Sequence, residues 1–227
     1  MKLYLDSAQI AAWVLPPGCP PVQGVTTNPS LILQAGMPVN LATYERLLMA
    51  AGDHGLPELM LQLPSSDTQQ TKVWLACLQA AAVRAKVQMT IKLPCHANWL
   101  ACIQVVQQAG TPVLLTGLSN AVQLLWARSL KVAYVAPYVG RIAADGRDAW
   151  SLMQACIAVQ DDQKTPGPAL LAASIKSPEV LARLIGMGAR AVTLAPASLV
   201  AWSQDALTQA AIEQFERDTS ASQALAS

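Results

Sequence analysis

Charge is scarce in this chain. Of 227 residues, 13% are Asp, Glu, Lys or Arg, against 53% hydrophobic ones. Fifteen basic and fourteen acidic residues leave a formal charge of +1, which excludes the strongly basic surface that a nucleic-acid partner requires. The same composition excludes intrinsic disorder, because so apolar a chain buries enough surface to offset its ordering entropy. The five cysteines, Cys19, Cys77, Cys95, Cys102 and Cys156, include no C-x-x-C pair, so neither a disulfide framework nor a zinc site is expected. His54 and His96 are the only histidines, too few for a multi-histidine metal centre; no metal and no cofactor are expected. No uncharged apolar run reaches the ~18 residues that cross a bilayer, so no membrane partner is expected either. Asp6 interrupts the apolar run that follows Lys2, and Pro16-Pro17 come soon after. That is a poor export signal, and the expected location is cytoplasmic. A mean hydropathy of +0.33 suits a homo-oligomer whose subunits cover one another's apolar surface.

No repeat of fixed period is visible, but element types alternate. Strand-like runs occupy Leu3–Asp6, Gly24–Asn28, Glu58–Leu63, Val87–Pro94, Pro112–Leu118, Lys131–Val139, Ala169–Ser174 and Ala191–Pro196. Ala-, Leu- and Gln-rich stretches with helical spacing separate them, and Gly52, Gly110 and Gly188 stand near helix ends. Such alternation predicts parallel β-structure. Eight units in ~200 residues predict a closed (β/α)8 TIM barrel. A doubly wound sheet usually advertises a G-x-G-x-x-G turn, which is absent. Residues 1–218 read as one domain that includes a C-terminal helix over Gln204–Arg217. Residues 219–227 read as a small, polar, flexible tail.

Strand side chains alternate between faces, and barrel strands turn one face to the helices and the other to the lumen. In Val87–Lys92, Val87, Met89 and Ile91 form the helix-facing set. Gln88, Thr90 and Lys92 then line the lumen, with Lys92 at the carboxyl end. The same parity pairs Tyr4 with Asp6, Thr26 with Asn28, Met60 with Gln62, Leu114 with Thr116, Ala136 with Tyr138, and Ala172 with Ser174. Barrel active sites occupy the carboxyl rim, where Asp6, Asn28, Gln62, Lys92, Thr116, Tyr138 and Ser174 would converge.

A lysine buried there sheds its proton more easily. The free amine can condense with a ketone to a Schiff base, an electron sink for carbon–carbon cleavage. A lysine whose stem packs while its head reaches water fits the position equally well. Asp6 is either a general base for a substrate hydroxyl or the charge that neutralises Lys92. Gln62, Thr116 and Tyr138 either hold a water for proton transfer or satisfy one another in the lumen. Arg141, Ser174 and Lys176 are phosphate candidates near the later loops, and a helix starting near Ser177-Pro178 would add N–H donors. Arg141 could instead pair with Asp145. His54 reads as a solvated turn residue and His96 as a helix-start residue.

The segments Leu3–Asp6, Gly24–Ser30, Ile91–Pro94, Tyr134–Ile142 and Leu171–Lys176 resemble the small transaldolase family, and within it the fructose-6-phosphate aldolase branch. They occur in the family's order and span most of the chain. The T-T-N-P-S run followed by K-x-P carries the specificity. The resemblance implies a metal-independent class I aldolase acting on sugar phosphates and hydroxyketones. It would form or cleave fructose 6-phosphate from dihydroxyacetone and glyceraldehyde 3-phosphate. It implies that Lys92 is the Schiff-base lysine, that Asp6 handles a substrate hydroxyl, and that Thr26 and Asn28 orient the donor's hydroxyls. It further implies that Tyr138 is the acid/base group beside a water held with Gln62 and Thr116, and that Arg141, Ser174 and Lys176 bind phosphate. Transaldolases of the family carry Glu and Phe where this chain has Gln62 and Tyr138, which favours the aldolase. Transfer of a dihydroxyacetone unit between sugar phosphates is the alternative, and a non-catalytic sugar-phosphate-binding barrel is the alternative of another class. The resemblance also implies pentamers that pair into decamers, with the last helix reaching a neighbour. His96 stands where the family usually has Thr, the loop Thr116–Ser119 differs, and Gly140 before Arg141 is transaldolase-like.

Overall fold

The computed structural model describes residues 1–225. Its strands are β1 (Lys2–Asp6), β2 (Gly24–Thr26), β3 (Glu58–Gln62), β4 (Gln88–Pro94), β5 (Val113–Leu118), β6 (Tyr134–Pro137), β7 (Ala169–Ala172) and β8 (Ala191–Leu194). All run parallel, each beside its chain neighbour, and β8 pairs back onto β1 to close the barrel. The architecture is a (β/α)8 barrel, and each of its strands falls within one of the expected runs, apart from Lys2 at the start of β1.

The helices are α1 (Pro29–Gln34), α2 (Leu41–Asp53), α3 (Thr68–Ala85), α4 (Leu100–Gln108), α5 (Ala121–Ser129), α6 (Val139–Ala144), α7 (Ala149–Gln160), α8 (Pro178–Met187), α9 (Pro196–Trp202) and α10 (Ala206–Leu225). Their starts carry side-chain caps that satisfy orphan N–H groups. Asn28, Asn40, Asp67, Asn120, Asp148 and Ser177 each accept from a first-turn amide. Only a 3-10 turn, Ile10–Trp13, lies between β1 and β2. The prolines at 16, 17, 20 and 21 lack the N–H that a longer helix needs.

Period-two alternation separates two cores. Val87, Met89 and Ile91 join the large core between strands and helices. Tyr4, Met60, Leu114, Ala136, Leu171 and Ala191 fill the lumen. At its amino end the Glu58 carboxylate is 1% exposed. It accepts from Tyr4 Oη and Thr90 Oγ1, both at 2.7 Å, which makes so deep a charge tolerable. Burial, then this carboxylate, hold the Tyr4 phenol far above its ordinary range.

Two strand ends break the alternation. In β7 the expected lumen pair Ala172 and Ser174 does not form. Leu171 faces the lumen and Ala172 the helices, and Ser174 turns inward only because its φ is +60°. In β5 the register slips between Thr116 and Leu118, with Gly117 at φ +74°. The bulge leaves Thr116 on the lumen side and swings Leu118 into the outer core.

The C-terminal helix is longer than expected. It continues through the segment read as a tail, as far as Leu225. Ala221, Gln223 and Ala224 suit a helix, and Thr219 Oγ1 and Ser220 Oγ donate to the carbonyls of Phe215 and Glu216. Residues 226–227 of that expected tail lie outside the described residues. Among the described residues no helix is long and apolar enough to cross a membrane.

Candidate active site

Lys92 projects from the carboxyl half of β4 and is 5% exposed. Its Nζ donates to the Thr27 carbonyl at 2.7 Å. Burial lowers its pKa from the ordinary 10.5 to about 8, and the Asp6 carboxylate pulls weakly the other way. The head is therefore largely withdrawn from bulk solvent and faces the cavity. Asp6 and Lys92 form no contact ion pair; those present among the described residues are Arg128–Asp162, Arg147–Asp145 and Arg190–Asp161.

A cavity of about 320 Å³ opens above the amine. Of the expected residues, Asp6, Asn28, Lys92, Thr116, Tyr138, Arg141, Ser174 and Lys176 line it. Asn28 also caps α1, its Oδ1 accepting from Leu31 N at 3.0 Å, which leaves the NH2 for a ligand. Tyr138 Oη and Thr116 Oγ1 are 2.7 Å apart. The Arg141 guanidinium lies 4.5 Å from the centroid of the Tyr138 ring. Asp145 is taken by Arg147 rather than by Arg141.

Two expected residues stand elsewhere. Thr26 is fully buried and does not line the cavity; its hydroxyl is 2.8 Å from Asp6 Oδ1 and 2.7 Å from Thr193 Oγ1. Gln62 is level with Lys92 on the neighbouring strand but is not among the lining residues and bonds to neither Thr116 nor Tyr138. Its Oε1 is buried without a partner. His96 caps the short turn Ala97–Trp99, its Nδ1 accepting from Asn98 N at 3.2 Å, and stays out of the cavity.

The phosphate-candidate side is stitched together by backbone. Val139 N and Gly140 N donate to the carbonyls of Ala173 and Ser174 at 2.9 and 3.0 Å. A Cβ on Gly140 would lie 2.4 Å from Ser174 O and 3.0 Å from Lys176 Cγ, so only glycine fits between these loops. Sequence reasoning missed Thr193, which lines the cavity from β8. Its signal was available, because Thr193 stands two residues after Ala191, which faces the lumen.

A desolvated amine at the carboxyl rim of a closed parallel barrel, with cations across the cavity, defines the class of lysine-centred (β/α)8 enzyme sites. The chain belongs to the transaldolase/fructose-6-phosphate aldolase family, whose model matches residues 3–226. It is thus an aldolase- or transaldolase-type sugar-phosphate enzyme. Among solved structures, 3-hexulose-6-phosphate synthase from Salmonella typhimurium is 11% identical with a TM-score of 0.59, over 89% of this chain and 95% of that one. The flavin-binding domain of baker's yeast flavocytochrome b2 is 12% identical with a TM-score of 0.57, over 88% of this chain and 55% of that one. The PaMucR phosphodiesterase in its c-di-GMP complex is 13% identical with a TM-score of 0.52, over 72% and 70%. The chain spans little more than half of the flavocytochrome structure. These likenesses concern the fold alone.

Proposed function

We propose that the protein is a class I aldolase that cleaves or forms fructose 6-phosphate, or a close analogue, through a Schiff base on Lys92. The observation that carries this reading is the buried Nζ, with its pKa brought down to about 8, at the base of a cavity that also holds Arg141, Ser174 and Lys176.

The neutral amine attacks the ketose carbonyl carbon, and loss of water leaves an iminium. Asp6 takes the proton of the hydroxyl on the far carbon of the scissile bond. That bond breaks, its electron pair passes into the iminium to give an enamine, and glyceraldehyde 3-phosphate departs. Tyr138, paired with Thr116, returns a proton to the enamine carbon, and hydrolysis frees dihydroxyacetone and the amine. The NH2 of Asn28 donates to a donor hydroxyl. Arg141, Lys176 and Ser174 hold the phosphate. Gln62, level with Lys92 on β3 but off the cavity lining, is given no step in this reaction.

Borohydride reduction with dihydroxyacetone tests the reading. A stable adduct on Lys92, absent in Lys92→Ala, is expected; no adduct favours a sugar-phosphate-binding barrel without catalysis. The transaldolase reading rests on Gly140 before Arg141, the feature in which the sequence resembles transaldolases. Release of free dihydroxyacetone from fructose 6-phosphate alone supports the aldolase, and release only when an aldose phosphate is added supports the transferase.

The assembly is a homo-oligomer of pentamer or decamer type. On α10, Leu207 and Phe215 are 82% and 66% exposed, and a second copy of this chain covers them. Light scattering should give five or ten chain masses, and deletion of residues 206–227 should lower that number.

A further inference from the structure

We infer that Thr193 is a positioning residue that fixes the Asp6 carboxylate through Thr26. The inference rests on the reading that Asp6 takes the substrate's hydroxyl proton.

The geometry determines which way the protons point. Thr26 Oγ1 lies 2.8 Å from Asp6 Oδ1 and 2.7 Å from Thr193 Oγ1. An ionised carboxylate only accepts, and a hydroxyl carries one proton. Thr26 therefore gives its proton to Asp6, and Thr193 must give its own to Thr26. The relay runs from β8 through β2 to β1, across three adjacent strands of the closed barrel.

Both hydroxyls are buried, Thr26 at 0% and Thr193 at 3% exposure. Valine would fill either site without the desolvation cost of a hydroxyl, so the pairing is what these side chains contribute. A hydroxyl that accepts a hydrogen bond donates a stronger one. Without Thr193, the Thr26 proton is freer to turn to the Leu5 carbonyl, at 3.5 Å in the present arrangement. With Thr193 in place, Asp6 Oδ1 is engaged and Oδ2 is kept for the substrate. Thr193 acts on the reaction through Thr26 and not by touching the reacting atoms.

The test compares Thr193→Val, Thr193→Ser, Thr26→Val and the Thr26→Val/Thr193→Val double variant with the unaltered protein. Three quantities are read: glyceraldehyde 3-phosphate released from fructose 6-phosphate with and without an aldose phosphate acceptor, the borohydride-trapped dihydroxyacetone adduct, and the thermal midpoint. Thr193→Val should lower kcat about tenfold with KM held within about twofold, since a lost orientation acts on the barrier and not on binding. Its adduct yield should match the unaltered protein, and Thr193→Ser should restore kcat. The double variant should be no slower than Thr26→Val, because both changes interrupt one relay. Unchanged kcat in Thr193→Val, a loss that Thr193→Ser shares, or multiplying losses in the double variant would overturn the inference. If Thr193→Val does not fold, Thr193→Ala carries the same expectations. Absence of the adduct in the unaltered protein strikes at the Schiff-base reading itself and is seen before any variant is made.

Discussion

Lys92 and Thr27 stand 65 positions apart, yet Lys92 Nζ donates to the Thr27 carbonyl at 2.7 Å. β4 does not adjoin β2; β3 lies between them, so the lysine reaches past one strand to this acceptor. A carbonyl accepts whether the nitrogen is protonated or not. The bond holds one N–H in either state and keeps the nitrogen at the cavity.

Adduct formation should depend on pH through that nitrogen. Desolvation favours the neutral amine, and the pKa near 8 means that the reactive fraction grows as pH rises. Trapping rates should climb about tenfold per pH unit from 6 to 7 and flatten above about 8. Asp6→Asn removes the charge that favours the ammonium, so its midpoint should fall below that of the unaltered protein. A midpoint near 10.5 would show that the amine is not desolvated.

The same burial costs stability. The unfolded chain holds the Lys92 proton up to about 10.5 and the folded chain only to about 8. Folding therefore loses stability below pH 8 and regains it between 8 and 10.5. Lys92→Met should be more stable at pH 7 by up to about 3 kcal/mol, and the margin should shrink toward pH 10.5. Urea midpoints at matched protein concentration measure this; a margin independent of pH would contradict it.

Tyr138→Phe keeps the ring beneath the Arg141 guanidinium but removes the hydroxyl 2.7 Å from Thr116. Release of dihydroxyacetone should fall at least about 100-fold, the scale of general acid–base catalysis. The Lys92 adduct should persist, and KM for the sugar phosphate should stay within about threefold. Normal release in this variant would remove Tyr138 from the proton path.

Gly140→Ala places a methyl group 2.4 Å from Ser174 O, and the Gly140 N–H bond to that oxygen holds the two segments together. Ser174 already sits at φ +60° and has little freedom to retreat. KM for phosphorylated substrates should rise about tenfold or more, with a stability loss of about 1–3 kcal/mol. An unphosphorylated ketose should be handled with nearly unaltered KM. Equal effects on both substrates would place the phosphate elsewhere.

Much of the site could be read from alternation. Val87 to Lys92 keeps strict period two, so the lumen position of Lys92 followed directly, and the polar ends of β1, β5 and β6 were located the same way. The reading failed where the backbone leaves that period. Ser174 lines the cavity as expected, but through its own left-handed backbone and not by sharing a face with Ala172, which packs against the helices. It also failed where a hydroxyl's partners come from other strands. Thr26 shares the parity of Asn28, but Asp6 and Thr193 hold its side chain behind the cavity wall. Gln62 has the expected register beside Lys92 without joining Thr116 and Tyr138.

The residue order alone determined the class of fold and the lysine at its rim, because hydrophobic period and helix signals are local properties of the chain. Barrel closure decided the rest. It brought Thr193 of the last strand within reach of the first two, set Ser174 against Gly140, and dried the space around one ammonium. Those relations depend on distances between segments far apart in sequence, and no local pattern encodes them.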